Sequence, residues 1–264
     1  MAGPIKTDEF LDRVFSRPVA ALIVKLAAPT PITPNQITMI SAAFGVGAGV
    51  AMGFHAGLAT ALCLLAYLAF DCADGQLARL RGGGGYLGRA MDGAGDYVAA
   101  VAIHIGLALW IGAQLENVLY GWLMSAGAGA ALIWASFLLD RYKRRYRGDT
   151  DDLEVLRAEA AATPGIGGWL IARLEPYAEK LDGGVVVPDR SAYQERLGLP
   201  MRLWLLGGPT THFMAMAICA LLERPDVYAW IAMGPMALLT LVTMLVQRVL
   251  ESRAPAVIER GSAE

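Results

Sequence analysis

The sequence predicts an all-α integral membrane protein: six transmembrane helices, an N-terminal amphipathic interfacial helix, and both termini in the cytoplasm. Three observations predict it. Of 264 residues, 56% are hydrophobic and only 17% charged, against about 25% charged in an ordinary soluble domain. The apolar residues gather into six long runs. The basic residues collect on the ends and connectors that such a topology places on one side. The net charge of -2 shows no basic excess, so no nucleic-acid partner is expected. Cys63, Cys72 and Cys219 sit in apolar stretches without metal-ligand spacing.

The elements follow in chain order. The start, MAGPIKTDEF, has no apolar run after its charges, so a cleavable signal peptide is not expected. Residues 8–27 carry Phe10, Leu11, Val14, Phe15, Leu22, Ile23 and Leu26 at helical spacing, with Arg13, Arg17 and Lys25 among them. This pattern predicts a helix lying along the membrane surface, kinked or broken at Pro18. The apolar runs cover residues 37–54, 58–70, 94–112, 119–139, 203–222 and 227–250. Crossing the hydrocarbon core takes about 20 residues. The second run is too short and spans only if its helix continues through Asp71 and Asp74.

The connectors 53–57, 113–118 and 223–226 are short, and Arg224 is the only basic residue in them. The remaining basic residues fall at the N-terminus, at 79–89, after Asp140 or after Gln247. Cytoplasmic loops carry the positive excess, which places both termini and the glycine-rich turn 82–85 in the cytoplasm. The chain thus reads as an interfacial segment (1–30), four spans (31–140), a cytoplasmic connector (141–202) and two further spans with a tail (203–264). In the connector, RYKRRYR extends the fourth helix out of the membrane and a charged helix follows. GIGGWLIARLEPYAEKL reads as a second interfacial helix burying Trp169, Leu170, Ile171 and Leu174, and residues 185–187 as a short strand. The small residues AGAGAAL at 126–132 suit close helix approach, within the chain or in a homodimer.

One stretch does not look built for lipid. FDCADGQLARLRGGGGYLGRAMDGAGDYV holds Asp71, Asp74, Asp92 and Asp96. Spacings of three and four put each pair on one helix face. Ionised aspartates in a spanning segment are costly and point to function. Two pairs on consecutive helices that face each other need a cation between them. All-oxygen ligands suit Mg²⁺ or Mn²⁺, with Ca²⁺ open, and no histidine stands near to suit zinc. A two-metal site favours phosphoryl transfer. Gly75 and Gly88 allow a phosphate or a helix to come close, and Arg79, one turn beyond Asp74, offers a fork to a phosphate. The glycine turn lacks the lysine and hydroxyl residue of a P-loop and reads as a linker.

Read together, the string is Asp71-x-x-Asp74-Gly75-x-x-Ala78-Arg79, eight residues, then Gly88-x-x-x-Asp92-x-x-x-Asp96. It resembles, position for position, the signature of the CDP-alcohol phosphotransferase family. Thr33, Pro34 and Asn35 resemble the family's Thr-Pro-Asn segment before the first span. The resemblance implies transfer of a substituted phosphate from a CDP-linked donor to an alcohol, with release of CMP. It implies that Asp71, Asp74, Asp92 and Asp96 hold two Mg²⁺ or Mn²⁺ ions and that Asp96 is the general base. Asp74, Gly75, Ala78, Arg79, Gly88 and Asn35 would contact the nucleotide. It further implies CDP-diacylglycerol as donor in phospholipid biosynthesis, a homodimer, and a cell-membrane site facing the cytoplasm. A CDP-inositol donor with an inositol phosphate or other polar-alcohol acceptor is the alternative. Members with phosphorylated acceptors use extra basic residues, for which Arg141, Lys143, Arg144 and Arg202 are the candidates beside plain headgroup anchoring. An ion-coupled transporter is the competing class. It is disfavoured because the aspartates sit at one edge and no inverted repeat is visible.

Overall fold

A computed structural model describes residues 7–82, 86–148, 185–187, 189–253 and 259–260, with backbone only for 86–92 and for the strand residues. The expected charged helix after residue 148, the second interfacial helix with Trp169, Leu170, Ile171 and Leu174, and the turn at 83–85 lie outside the described residues. Among the described residues, six helical stretches are long and apolar enough to cross a membrane: Pro34–Gly53, Gly57–Leu80, Gly93–Gln114, Val118–Arg147, Gly198–Leu221 and Pro225–Ser252. Each overlaps one predicted run. The protein is a multi-pass membrane protein, and its described residues are all-helical apart from one short antiparallel pair, β1 (Val185–Val186) with β2 (Glu259–Arg260).

The chain gathers into two compact units. The larger comprises Asp8–Ser136 and Leu206–Leu239. Near its start a π-turn, Asp12–Ser16, leads directly into α1 (Arg17–Ala27). The expected break at Pro18 is therefore replaced by a widened turn. The Arg17 N–H reaches Asp12 O, five residues back, so the carbonyl that a proline ring would strike is moved out of its way. Pro235 is accommodated the same way, inside the π-turn Ala232–Met236 between α9 (Pro225–Ile231) and α10 (Ala237–Ser252).

The helix α2 (Pro34–Gly53) starts with a capping box. Thr33 Oγ1 accepts the Gln36 N–H at 3.3 Å, and Gln36 Oε1 accepts the Thr33 N–H at 2.9 Å. Pro34 occupies the first helical position, where a missing N–H costs nothing. The Thr-Pro-Asn segment is thus, first of all, a helix start. The second run does continue through the aspartates as α3 (Gly57–Leu80). The helix α4 (Tyr86–Gln114) begins well before the apolar run it carries, so Asp92 and Asp96 both lie on it.

Packing in this unit relies on missing side chains. A Cβ at Gly49 would collide with the Ala102 carbonyl and stand 2.8 Å from Ile103 N; one at Gly106 would stand 2.8 Å from Met52 Cβ and collide with Gly49 O. With Gly45 against Ala99, these positions bring α2 and α4 into backbone contact. Small residues are what permit this where lipid gives helices no hydrophobic reason to associate. The run at 126–132 is also used inside the chain. Gly127 faces Met233 and Gly129 faces His104, the latter with 3.2 Å between a built Cβ and the ring.

Among the described residues, three tight turns join neighbouring spans. His55, Glu116 and Glu223 have φ of 57°, 51° and 56°. In each turn the following N–H reaches back five residues: Ala56 to Ala51 O, Asn117 to Gly112 O and Arg224 to Cys219 O. This is a Schellman closure made without glycine.

The fifth run is not one helix. It divides into α7 (Gly198–Trp204) and α8 (Pro209–Leu221). The cause is local: Gly207 and Gly208 precede Pro209, which disfavours helix in the residue before it. Gly208 is extended and offers no capping side chain. The buried Glu9 supplies the cap instead, accepting from the Thr211 N–H at 3.3 Å and the Thr210 N–H at 3.5 Å. Asp12 Oδ1 accepts from Thr210 Oγ1 at 2.7 Å.

The smaller unit comprises Met1–Thr7, Phe137–Leu205 and Thr240–Glu264. The helix α5 (Val118–Arg147) runs on past its apolar part as expected. Tyr142, Tyr146, Tyr193, Met201 and Trp204 form the core of this unit. Asp189 caps α6 (Arg190–Arg196), accepting from the Ala192 N–H at 3.0 Å. That bond holds its carboxyl below the usual carboxylate range.

Candidate active site

The site is built on three helices of the larger unit. Asp71 and Asp74 lie near the end of α3. Ala73 and Leu77, on a neighbouring face of α3, pack fully buried against Ala20, Ala27 and Ile37, so α1 backs the aspartate stretch. Arg81 fastens the end of α1 there: it donates to Ile32 O at 2.5 Å and Thr30 O at 2.9 Å, and to Ala27 O at 3.5 Å. Asp74 is only 7% exposed, and Asp71 is half-buried. Gly75 and Ala78 are half-buried, and Arg79 is exposed. The Arg79 guanidinium folds back over Gly75, where a built Cβ would lie 3.4 Å from Nη1. The structure thus brings together two residues that the sequence pairs for phosphate contact.

Asp96 stands on α4, half-buried. Asp92 lies one turn earlier on the same helix and Gly88 one turn before that; their side chains fall in the stretch described by backbone alone. The helix α2 links the two aspartate-bearing helices. Thr38 Oγ1 donates to Asp74 Oδ2 at 2.6 Å. Its methyl carbon lies toward Gly95, 3.7 Å from a built Cβ, beside Asp96. Tyr67, on α3, donates its hydroxyl to Asp96 Oδ1 at 2.8 Å. Asn35 is in the first turn of α2, half-buried, three residues before Thr38 and on the same face.

Among the described residues, no group of three or more His, Cys, Asp or Glu side chains is gathered closely enough to hold a metal ion. The donors present around Thr38 and Tyr67 are all oxygens, from carboxylates and hydroxyls. By donor chemistry they fit a hard divalent cation such as Mg²⁺ and not zinc.

The basic candidates belong to the smaller unit. Arg141 and Lys143 are half-buried, and Arg144 and Arg202 are exposed. Arg144 Nε donates to Asp140 Oδ2 at 2.8 Å, one helical turn away. An exposed pair of this kind contributes little stability. The buried cation on this helix is Arg145, 7% exposed, which the sequence reading did not single out. Its guanidinium lies 5.7 Å from the Tyr142 ring centre and 3.8 Å from Glu251 Oε1. Glu251 also accepts from the Tyr193 hydroxyl at 2.9 Å and from Gln247 Nε2 at 2.8 Å. Burial first, and then the Glu251 carboxylate, push the Tyr193 phenol up, so it stays a donor. The available signal was the spacing of Arg141 and Arg145, interleaved with Tyr142 and Tyr146. Thr38 and Tyr67 were also missed, although Tyr67 stands one turn before Asp71 in an otherwise apolar run.

Comparison with known proteins adds a family. A model described as CDP-alcohol phosphatidyltransferase matches residues 31–166. The phosphatidylinositol phosphate synthase of Corynebacterium glutamicum is 34% identical over 100 residues, covering 38% of this chain and 44% of that protein. The phosphatidylinositol phosphate synthase of Mycobacterium marinum is 27% identical over 176 residues, covering 66% of this chain and 67% of that protein. The chain spans about half the length of the first curated relatives it matches. A crystal structure of the Mycobacterium tuberculosis phosphatidylinositol phosphate synthase with CDP-DAG bound aligns at TM-score 0.47 and 17% identity, over 89% of this chain and 94% of that one.

Proposed function

Since this chain belongs to the CDP-alcohol phosphatidyltransferase family, we propose that it transfers a phosphatidyl group from CDP-diacylglycerol to the hydroxyl of an alcohol, releasing CMP. The observation that carries the reading is the complete set of four aspartates at the ends of two consecutive spans, with Asp74 and Asp96 each engaged by a hydroxyl donor. An inositol phosphate is the acceptor we assign first, because the relatives are named for that product. The chain would lie in the cell membrane with this site facing the cytoplasm, in keeping with the distribution of basic residues.

Asp71, Asp74, Asp92 and Asp96 would hold two Mg²⁺ or Mn²⁺ ions, and bound metal supplies charge stabilisation for the pentavalent phosphorus. The remaining chemistry falls to the chain. Arg79, over Gly75, orients the pyrophosphate of the nucleotide, with Ala78, Gly88 and Asn35 lining the approach. Asp96 takes the proton of the acceptor hydroxyl. The acceptor oxygen forms a bond to the lipid-bearing phosphorus as the bond from that phosphorus to the CMP oxygen breaks. CMP leaves with the electron pair. Holding both substrates together makes a covalent enzyme intermediate unnecessary.

The test is CMP release by the purified full chain with CDP-diacylglycerol and a panel of acceptors. Activity should vanish with EDTA and return with Mg²⁺ or Mn²⁺. Activity in metal-free buffer would overturn the metal assignment, and CMP release only from CDP-inositol would move the reading to that donor. We assign Arg141, Lys143, Arg144 and Arg202 to the acceptor phosphate. Replacing Arg141 and Lys143 with Gln should raise the acceptor KM and leave the donor KM alone. An unchanged acceptor KM returns them to membrane anchoring.

A further inference from the structure

Two hydroxyl groups that no motif contains address the site carboxylates. Thr38 Oγ1 lies 2.6 Å from Asp74 Oδ2, and Tyr67 OH lies 2.8 Å from Asp96 Oδ1. Both contacts join residues on different helices: α2 to α3, and α3 to α4. We propose that Thr38 and Tyr67 are positioning residues that fix the orientations of Asp74 and Asp96 for a divalent cation. The inference rests on the metal reading given above and deepens it.

Each hydroxyl is held by structure that does not involve the carboxylate. Thr38 Oγ1 also lies 3.2 Å from Pro34 O, four residues back. A helical threonine has few rotamers, and one of them turns the hydroxyl toward that carbonyl. The helix therefore sets the direction of the hydroxyl before Asp74 is considered. Its single proton goes to the carboxylate, the closer and charged acceptor. Tyr67 is 5% exposed, and its ring meets Phe213 edge-on, with centroids 5.4 Å apart and planes at 83°. On another side a Cβ at Gly45 would stand 3.3 Å from Tyr67 Cδ2. The backbone behind the ring is tied as well, since Ser41 Oγ donates to Tyr67 O at 3.0 Å. The phenol can swing little.

A carboxylate on a helix end otherwise samples several rotamers, and freezing it on metal binding weakens the affinity. A hydroxyl that already holds one oxygen removes part of that cost and aims the group. Such outer partners typically change metal affinity by about 10–100-fold when removed. Thr38→Val keeps the shape and the methyl toward Gly95 while deleting the donor. Tyr67→Phe keeps the ring on Phe213.

The experiment is Mn²⁺ binding to the detergent-solubilised full chain, read by electron paramagnetic resonance without nucleotide or acceptor. Thermal unfolding of each variant is run beside it. Thr38→Val and Tyr67→Phe should each weaken Mn²⁺ by about 10–100-fold. Thr38→Ser, which keeps the hydroxyl, should bind like the wild type, and Asp74→Asn should lose the high-affinity signal. Folded Thr38→Val and Tyr67→Phe proteins that bind as tightly as wild type, beside an inactive Asp74→Asn, overturn this inference and leave the metal reading standing. A wild-type chain that binds no Mn²⁺ overturns both. Should Thr38→Val fail to fold, Thr38→Ser and Tyr67→Phe decide the matter: loss of affinity in the serine variant, or its retention in the phenylalanine variant, counts against the proposal.

Discussion

Asp96→Asn is expected to abolish CMP release while leaving binding of the CDP donor within a few-fold of wild type. The amide is nearly isosteric with the carboxylate, and its oxygen can still accept the Tyr67 hydroxyl that now sits 2.8 Å from Oδ1. Geometry is therefore largely kept. What the amide cannot do is take a proton. General-base catalysis contributes about 10²–10⁴-fold, so single-turnover CMP release should fall by at least ~10²-fold. Two readouts separate the roles assigned to this side chain. Loss of turnover with donor binding intact marks a base. Loss of both marks a ligand whose main duty is to hold metal and nucleotide. Turnover near wild type would remove Asp96 from the chemistry altogether.

Gly49→Val should have the largest effect on the fold. The new Cβ would collide with the Ala102 carbonyl and stand 2.8 Å from Ile103 N, so it meets backbone, which cannot step aside. The helices α2 and α4 would have to part along their whole crossing. Overpacking ordinarily costs about 1–3 kcal/mol, and a clash with backbone belongs at the upper end. The matched control is Gly47→Val, two residues away, where a built Cβ meets Cys63 Sγ at 3.6 Å, an ordinary contact. The measurement is thermal unfolding and size-exclusion behaviour in detergent. A Gly49→Val chain as stable and monodisperse as the Gly47→Val chain would refute the backbone-contact picture. Because Thr38, on α2, and Asp96, on α4, both depend on this crossing, lost activity without lost stability would mean that a small parting of the helices already misplaces the carboxylates.

Much of this was legible in the sequence because the signals were long or repetitive. Six apolar runs far exceed what chance patterning provides, and among the described residues each overlaps a helical stretch long and apolar enough to cross a membrane. The second needed its helix to carry Asp71 and Asp74, and α3 does. The four aspartates were legible because carboxylates in an apolar setting are conspicuous, and Gly75 with Arg79 because their spacing fits one helical turn.

The failures have physical causes. Pro18 reads as a break only if the helix must be α throughout; a π-turn relieves the clash, and nothing in DRVFS announces one. The run at 203–222 is apolar enough to span, but hydropathy cannot see that Gly207, Gly208 and Pro209 interrupt it. Thr38 and Tyr67 were passed over because a threonine or tyrosine in an apolar run ordinarily satisfies itself locally. Their importance depends on what another helix brings opposite them. Arg145 stood hidden among four other basic residues between 141 and 147, and only burial distinguishes it. Gly45, Gly49 and Gly106 were visible as small residues, yet which partner they touch is a tertiary fact.

The cap that Glu9 places on α8 has a consequence in time. During synthesis Glu9 emerges well before its partners, because the two amides it receives belong to residues 201 and 202 positions later. At about 5–20 residues per second, this carboxylate waits on the order of ten seconds or more before its partners exist. The segment around Glu9 is thus fastened to α8 only after the fifth span arrives, and the contact acts as a latch between distant parts of the chain. A nascent chain stopped before α8 would leave Glu9 without those amides.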